Sequence, residues 1–218
     1  MTASANAWRD ASPALAFAVL AAAFYLNDFA FIAFNGTYGV YLTDYASRLL
    51  VLAVCFAWPV TRAIAGMKFS PRPAIALAIA CAALLPVAGR LVFHLIEVPF
   101  IKLTGLKGLF VFHHLADPVA YWFDLTVGLF LVALSEELVF RKVARHWLER
   151  AGRTPLQIVV ISSLLFSLMH WGSGPGRLIY TFVAGAIYMT AYLKIGRLWP
   201  LVIAHWIEDF AALGPFDF

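Results

Sequence analysis

The chain has 218 residues, 63% hydrophobic and 13% charged, with mean hydropathy +0.84 and formal net charge +4. Soluble domains run nearer about 45–50% apolar and about 25% charged, so the composition excludes an ordinary soluble globule and points to a polytopic membrane protein. The positive charge is distributed by loop and not gathered in a patch, so it does not indicate a nucleic-acid partner.

A helix needs about 20 apolar residues to cross a bilayer. Seven segments are candidate spans: 13–34, 47–66, 74–96, 119–141, 156–171, 175–193 and 199–213. The expected fold is therefore all-α, a membrane bundle of about seven transmembrane helices. Residues 1–118 would hold three spans and an amphipathic connector; residues 119–218 would form a four-helix core. Met1 to Ser12 is short and mixed, with no cleavable-leader pattern, and the first apolar run is long enough to remain as a span.

The first three spans carry Asn27, Asp28, Arg48, Arg90, His94 and Glu97. These read as packing polar groups. Arg90, His94 and Glu97 recur at helical spacing and suit one self-satisfied stripe. Cys55 and Cys81 lie in spans without Cys-x-x-Cys spacing and read as small buried apolar residues. Between Glu97 and Pro118, Leu103, Leu106, Leu109 and Phe110 alternate with Lys102 and Lys107. That pattern suits either a short helix on the membrane surface or a plain loop. His113 and His114, in the same stretch, read as solvated.

Ten basic loop residues fall on one side: Arg9, Arg62, Lys68, Arg72, Lys142, Arg145, Arg150, Arg153, Lys194 and Arg197. Four fall on the other: Arg48, Lys102, Lys107 and Arg177. The positive-inside rule then places the N-terminus in the cytoplasm and the C-terminus outside.

The fourth span carries Glu136-Glu137-x-x-x-Arg141 inside an apolar run. An ionisable residue in a span is costly and is a functional-site hypothesis by default. Glu137 and Arg141 form an i,i+4 pair on one helix face. Glu136 is rotated about 100° away and needs a partner on another helix. An unneutralised carboxyl in a dry site suits a general base or acid.

The fifth span ends in Phe166-x-x-x-His170. Ala151-Gly152-Arg153-Thr154-Pro155 is a turn signal between the fourth and fifth spans. Glu136 lies 17 residues before Arg153 and His170 lies 17 after it. An antiparallel hairpin would set both at one height, about 25 Å from the turn. The last span carries His205-x-x-x-Asp209, again an i,i+4 pair, with Glu208 as a rival partner for His205.

Two histidines and several carboxyls within apolar helices suit a metal site and suit metal-free activation of a water equally. His-Glu-x-x-His, Gly-x-Ser-Gly and Gly-x-Gly-Asp are all missing, which removes the zincin-type helix.

The three motifs in this order resemble the CPBP family, the CAAX prenyl endopeptidase-related and bacteriocin-processing membrane proteins described as glutamic intramembrane proteases. The resemblance covers about residues 119–213. It implies a peptide hydrolase with no metal and no cofactor, its catalytic core in the last four spans. Glu136 would be the general base, aided by His170. His205 and Asp209 would stabilise the oxyanion. Glu137, Arg141 and Phe166 would support them.

The CAAX-processing branch typically has Asn where this chain has Asp209. Asn offers an N–H, whereas an ionised Asp only accepts. Asp209 would serve either as the protonated acid or, the reading preferred here, by orienting His205 and holding it charged.

The expected partners are the lipid bilayer and a membrane-associated or exported protein or peptide, cut at a C-terminal sorting segment, a leader or a CAAX-like tail. Basic loops and the hairpin count place the site nearer the outer leaflet. The compact form suits members tied to bacterial protein sorting, in the inner membrane. Competing readings are a non-catalytic membrane partner or chaperone, a zinc-dependent membrane peptidase and a small ion-coupled carrier.

Overall fold

A computed structural model describes residues 13–36, 38–67, 75–110, 112 and 115–215. Arg9, Lys68, Arg72, His113 and His114 lie outside the described residues. Among the described residues, eight helices carry the fold: α1 (Pro13–Ala33), α2 (Gly39–Ala57), α3 (Pro59–Gly66), α4 (Ile75–Thr104), α5 (118–150), α6 (Pro155–Leu168), α7 (Pro175–Ile195) and α8 (Trp199–Leu213). Among the described residues there is no strand.

Among the described residues, four helices are long and apolar enough to cross a membrane: α1, α2, α4 and α7. Helix α6 is apolar but shorter. Exposed Leu84, Val87, Leu91 and Leu95 form a stripe along α4, a face suited to hydrocarbon and not to water.

The second span begins earlier than the sequence suggested and is broken. Gly39 opens α2, and the chain turns extended at Trp58, with φ −77° and ψ 122°. Pro59 imposes this, because a residue before proline is pushed out of the helical region. The Thr61 hydroxyl donates to the Cys55 carbonyl at 2.8 Å and braces the corner. Arg48 is thus a mid-helix residue, buried in α2, and not a loop charge. Three cations remain on its assigned side: Lys102, Lys107 and Arg177.

Helix α4 runs through a wide π turn at Phe93–Glu97 and stops at Gly105, which takes φ 71°. The widened turn precedes Pro99, whose ring cannot donate to the helix ladder. The described residues of the connector beyond it form a loop and not a surface helix. Leu109 donates its N–H to the Gly172 carbonyl at 2.7 Å, and Phe110 packs against Phe31 at 5.0 Å between ring centres.

Helix α5 packs against α1, α2, α6 and α8. It contains two π turns, Asp124–Gly128 and Leu138–Val143. The second follows Glu137 directly, and its Phe140 meets Phe17, Phe24 and Phe166 at 5.7, 5.5 and 5.5 Å.

The turn at Arg153 forms as expected. Gly152 adopts φ 70°, and Thr154 closes a capping box with Gln157 ahead of Pro155. Helix α6 ends at Leu168, so His170 sits in the turn beyond it.

Candidate functional site

The motif residues converge from α5, the end of α6 and α8. His205 is the hub. Its Nδ1 lies 3.0 Å from Glu137 Oε1. Its Nε2 lies 3.4 Å from Asp209 Oδ2 and 3.8 Å from Glu136 Oε2. Three carboxylates therefore surround one imidazole, and each ring nitrogen faces an acceptor.

Helix geometry explains the convergence. Glu136 and Glu137 are adjacent, so they point about 100° apart on α5. His205 faces α5 and lies between the two. Asp209 is one turn along α8 from His205, at i,i+4. Glu137 also binds Arg141 at 3.1 Å, as its spacing predicts. The Arg141 guanidinium lies over the Phe166 ring at 4.4 Å. Phe166 in turn meets His170 at 5.3 Å and His205 at 6.3 Å. This one ring backs both histidines and a cation.

A cleft opens onto Glu137, Arg141, His170, Arg177, Tyr180, His205 and Asp209. His170 lines it, and its Nε2 has no hydrogen-bond partner among the described residues. Its loop is tied from behind: Asp28 accepts the Gly172 N–H at 2.6 Å, and the Trp171 indole donates to the Tyr25 carbonyl at 3.2 Å.

Glu136 finds its interhelical partner on α2, where the sequence reading looked to His170. Arg48 Nη2 lies 2.9 Å from Glu136 Oε1 and 3.0 Å from Asp44 Oδ1. Asp44 accepts from Asn27 at 2.8 Å. The sequence reading took Arg48 as a packing polar group and also counted it among the loop charges, because the span was started at 47. Starting at Gly39 exposes Asp44 and Arg48 as an i,i+4 pair in an apolar helix, the same signal as Glu137 and Arg141.

Two further sequence expectations are corrected. Glu208 is no rival for His205: it accepts from the Tyr180 hydroxyl and from the Tyr188 hydroxyl at 2.8 Å. The stripe on α4 is not self-satisfied. Arg90 meets His94 at 3.5 Å, but Glu97 pairs across to Arg177 on α7 at 3.1 Å. Among the described residues, no three His, Cys, Asp or Glu side chains are grouped to hold a metal ion.

The fold and the site together define a class: an all-helical integral membrane protein that keeps carboxylates and imidazoles in its interior beside an open cleft. Residues 118–211 match the family described as type II CAAX prenyl endopeptidase Rce1-like, a family of proteases. That stretch holds all three motifs. No curated protein and no solved structure matches the chain.

Proposed function

We propose that this protein is a glutamic intramembrane endopeptidase. A water attacks the scissile carbonyl carbon. Glu136 takes the water's proton, aided by His170, and the proton passes to the leaving amine as the C–N bond breaks. His205, carrying both N–H groups, donates to the oxyanion while Asp209 orients it. Glu137, Arg141 and Phe166 hold that arrangement. The observation that carries this reading is the position of His205, which lines the cleft with Glu137, Asp209 and His170 and lies 3.8 Å from Glu136.

The proposed substrate is a membrane-associated or exported protein or peptide, cut at a C-terminal sorting segment, a leader or a CAAX-like tail. The chain would cross a bacterial inner membrane seven times, residues 119–218 forming the catalytic core. Its N-terminus would be cytoplasmic, its C-terminus outside, and its site nearer the outer leaflet. In support, the cleft wall at His170 packs beside the connector with Lys102 and Lys107, away from the basic turn at Arg150 and Arg153.

The test is cleavage by purified protein in detergent, with and without a strong chelator. Two internally quenched peptides serve as probes, one ending in a farnesylated Cys-aliphatic-aliphatic tail and one in an apolar sorting-type segment. Wild-type cleavage that survives the chelator and disappears in Glu136→Gln supports the reading. Loss with chelator and rescue by zinc would replace it with a zinc peptidase. A second reading, a non-catalytic membrane binding partner, is favoured by the Arg48–Glu136 pair, since one oxygen of that carboxylate is already engaged in an interhelical ion pair. No cleavage of either probe, with an unchanged cellular phenotype in Glu136→Gln, would favour it.

A further inference from the structure

Of the charged motif residues, Glu137 has its countercharge within its own helix, and Glu136 does not. The segment that matches the protease family contains Glu136 but not the cation bound to it. That cation comes from α2, in the half of the chain outside the match.

The contact is built and not incidental. Arg48 is buried, and its guanidinium lies over the Phe24 ring at 4.6 Å. Asp44, one turn earlier, holds the same Nη2 at 3.0 Å, and Asn27 on α1 holds Asp44 at 2.8 Å. The chain Asn27–Asp44–Arg48–Glu136 therefore joins α1, α2 and α5. A buried guanidinium is costly to maintain, and Arg is always charged. A leucine or methionine would fill the place at less cost if packing were the need.

The pair divides the two oxygens of Glu136. Oε1 is taken by Arg48 at 2.9 Å, while Oε2 faces His205 Nε2 at 3.8 Å, too far for a direct hydrogen bond. One oxygen is anchored; the other is left toward the imidazole.

We infer that Arg48, braced by Asp44 and Asn27, is a positioning residue for Glu136: it fixes the carboxylate's rotamer so that Oε2 alone is presented to the attacking water. This rests on the proposed role of Glu136 as base. It adds to the three motifs a requirement from the unmatched half of the chain. Arg48 acts through Glu136 and does not touch the reacting atoms.

The experiment measures kcat and KM on the two quenched peptides for wild type, Glu136→Gln, Arg48→Met, Arg48→Lys and Asp44→Asn. Gel filtration and thermal unfolding report folding. Arg48→Met is expected to lower kcat about 100-fold, the scale of losing a placed general base, with KM within about 3-fold because bound substrate does not meet Arg48. Arg48→Lys keeps the charge but not the fork and is expected to recover roughly 10-fold of that loss. Asp44→Asn is expected to fall between wild type and Arg48→Met.

Arg48→Met with wild-type kcat, while Glu136→Gln is inactive, would overturn the inference and leave Glu136 as base. An active Glu136→Gln would overturn the base and this inference with it. A wild type that cuts neither peptide would overturn the peptidase reading itself. Should Arg48→Met fail to fold, Arg48→Lys and Asp44→Asn decide. A selective fall in kcat supports the positioning role, and unchanged kcat in both sinks it.

Discussion

Asp28 on α1 accepts the backbone N–H of Gly172 at 2.6 Å and so holds the chain just beyond His170 from a helix 144 residues away. A hydrogen bond to a charged group contributes about 1.5–3 kcal/mol. Asp28→Ala should therefore lower stability by about 2 kcal/mol and slow cleavage, because the loop that carries His170 loses its tie. Asp28→Asn keeps an acceptor and should lose less of both. Thermal unfolding in detergent and the peptide assay check this together. An alanine variant with wild-type stability would show that the tie is idle.

Gly89 on α4 faces Glu208 on α8 so closely that a Cβ there would overlap the Glu208 carboxylate. The helices approach this closely because two tyrosine hydroxyls hold the carboxylate in place. Overpacking a filled interior costs about 1–3 kcal/mol, and displacing Glu208 would break both tyrosine bonds as well. Gly89→Ala should accordingly destabilise at the upper end of that range. Its effect should be non-additive with Glu208→Ala, since the second change removes the obstructing atoms. A double variant whose loss equals the sum of the single losses would refute the direct contact.

The hydrophobic pattern and the polar motifs read different parts of this fold well. The turn at Gly152-Arg153-Thr154-Pro155 was legible because its chemistry is local: a left-handed glycine and a capping box. The pairing of Glu137 with Arg141 was legible because i,i+4 spacing fixes it on any helix. Glu136 and Arg48 were not, because their contact depends on which face of α2 meets α5. The break at Pro59 and the start at Gly39 together moved Arg48 from a supposed loop into the interior. Nor does any spacing tell that His205 binds Glu137 on α5 more closely than Asp209 on its own helix. That order is set by helix packing.

Arg141 is fully buried, and Glu137 supplies its carboxylate at 3.1 Å. Removing one partner of a buried ion pair costs about 3–5 kcal/mol, whereas replacing both with apolar or neutral groups of like shape costs far less. Arg141→Met should thus reduce the yield of monodisperse protein, and Glu137→Gln with Arg141→Met should restore part of it. The double variant should remain impaired in cleavage, because Glu137 also holds His205 Nδ1 at 3.0 Å. Recovery of folding together with full activity would show that His205 needs no charged partner at Nδ1, since glutamine keeps only a neutral acceptor there.

The role of Asp209 is decided by Asp209→Asn. At 3.4 Å from His205 Nε2, the carboxylate supplies charge and orientation on the side of the ring opposite Glu137. Asparagine keeps an acceptor oxygen but loses the charge and gains two N–H donors. If Asp209 works through His205, the substitution should cost roughly 10-fold in kcat, about 1.4 kcal/mol of barrier. His205→Ala, which removes the proposed oxyanion donor itself, should cost about 100-fold to 1000-fold. The two losses should not add, because Asp209 has no route to the reaction except through the imidazole. Full activity in Asp209→Asn would show that the carboxylate is not required. Higher activity would assign residue 209 the direct donor's part, with an amide N–H reaching the oxyanion where the carboxylate cannot.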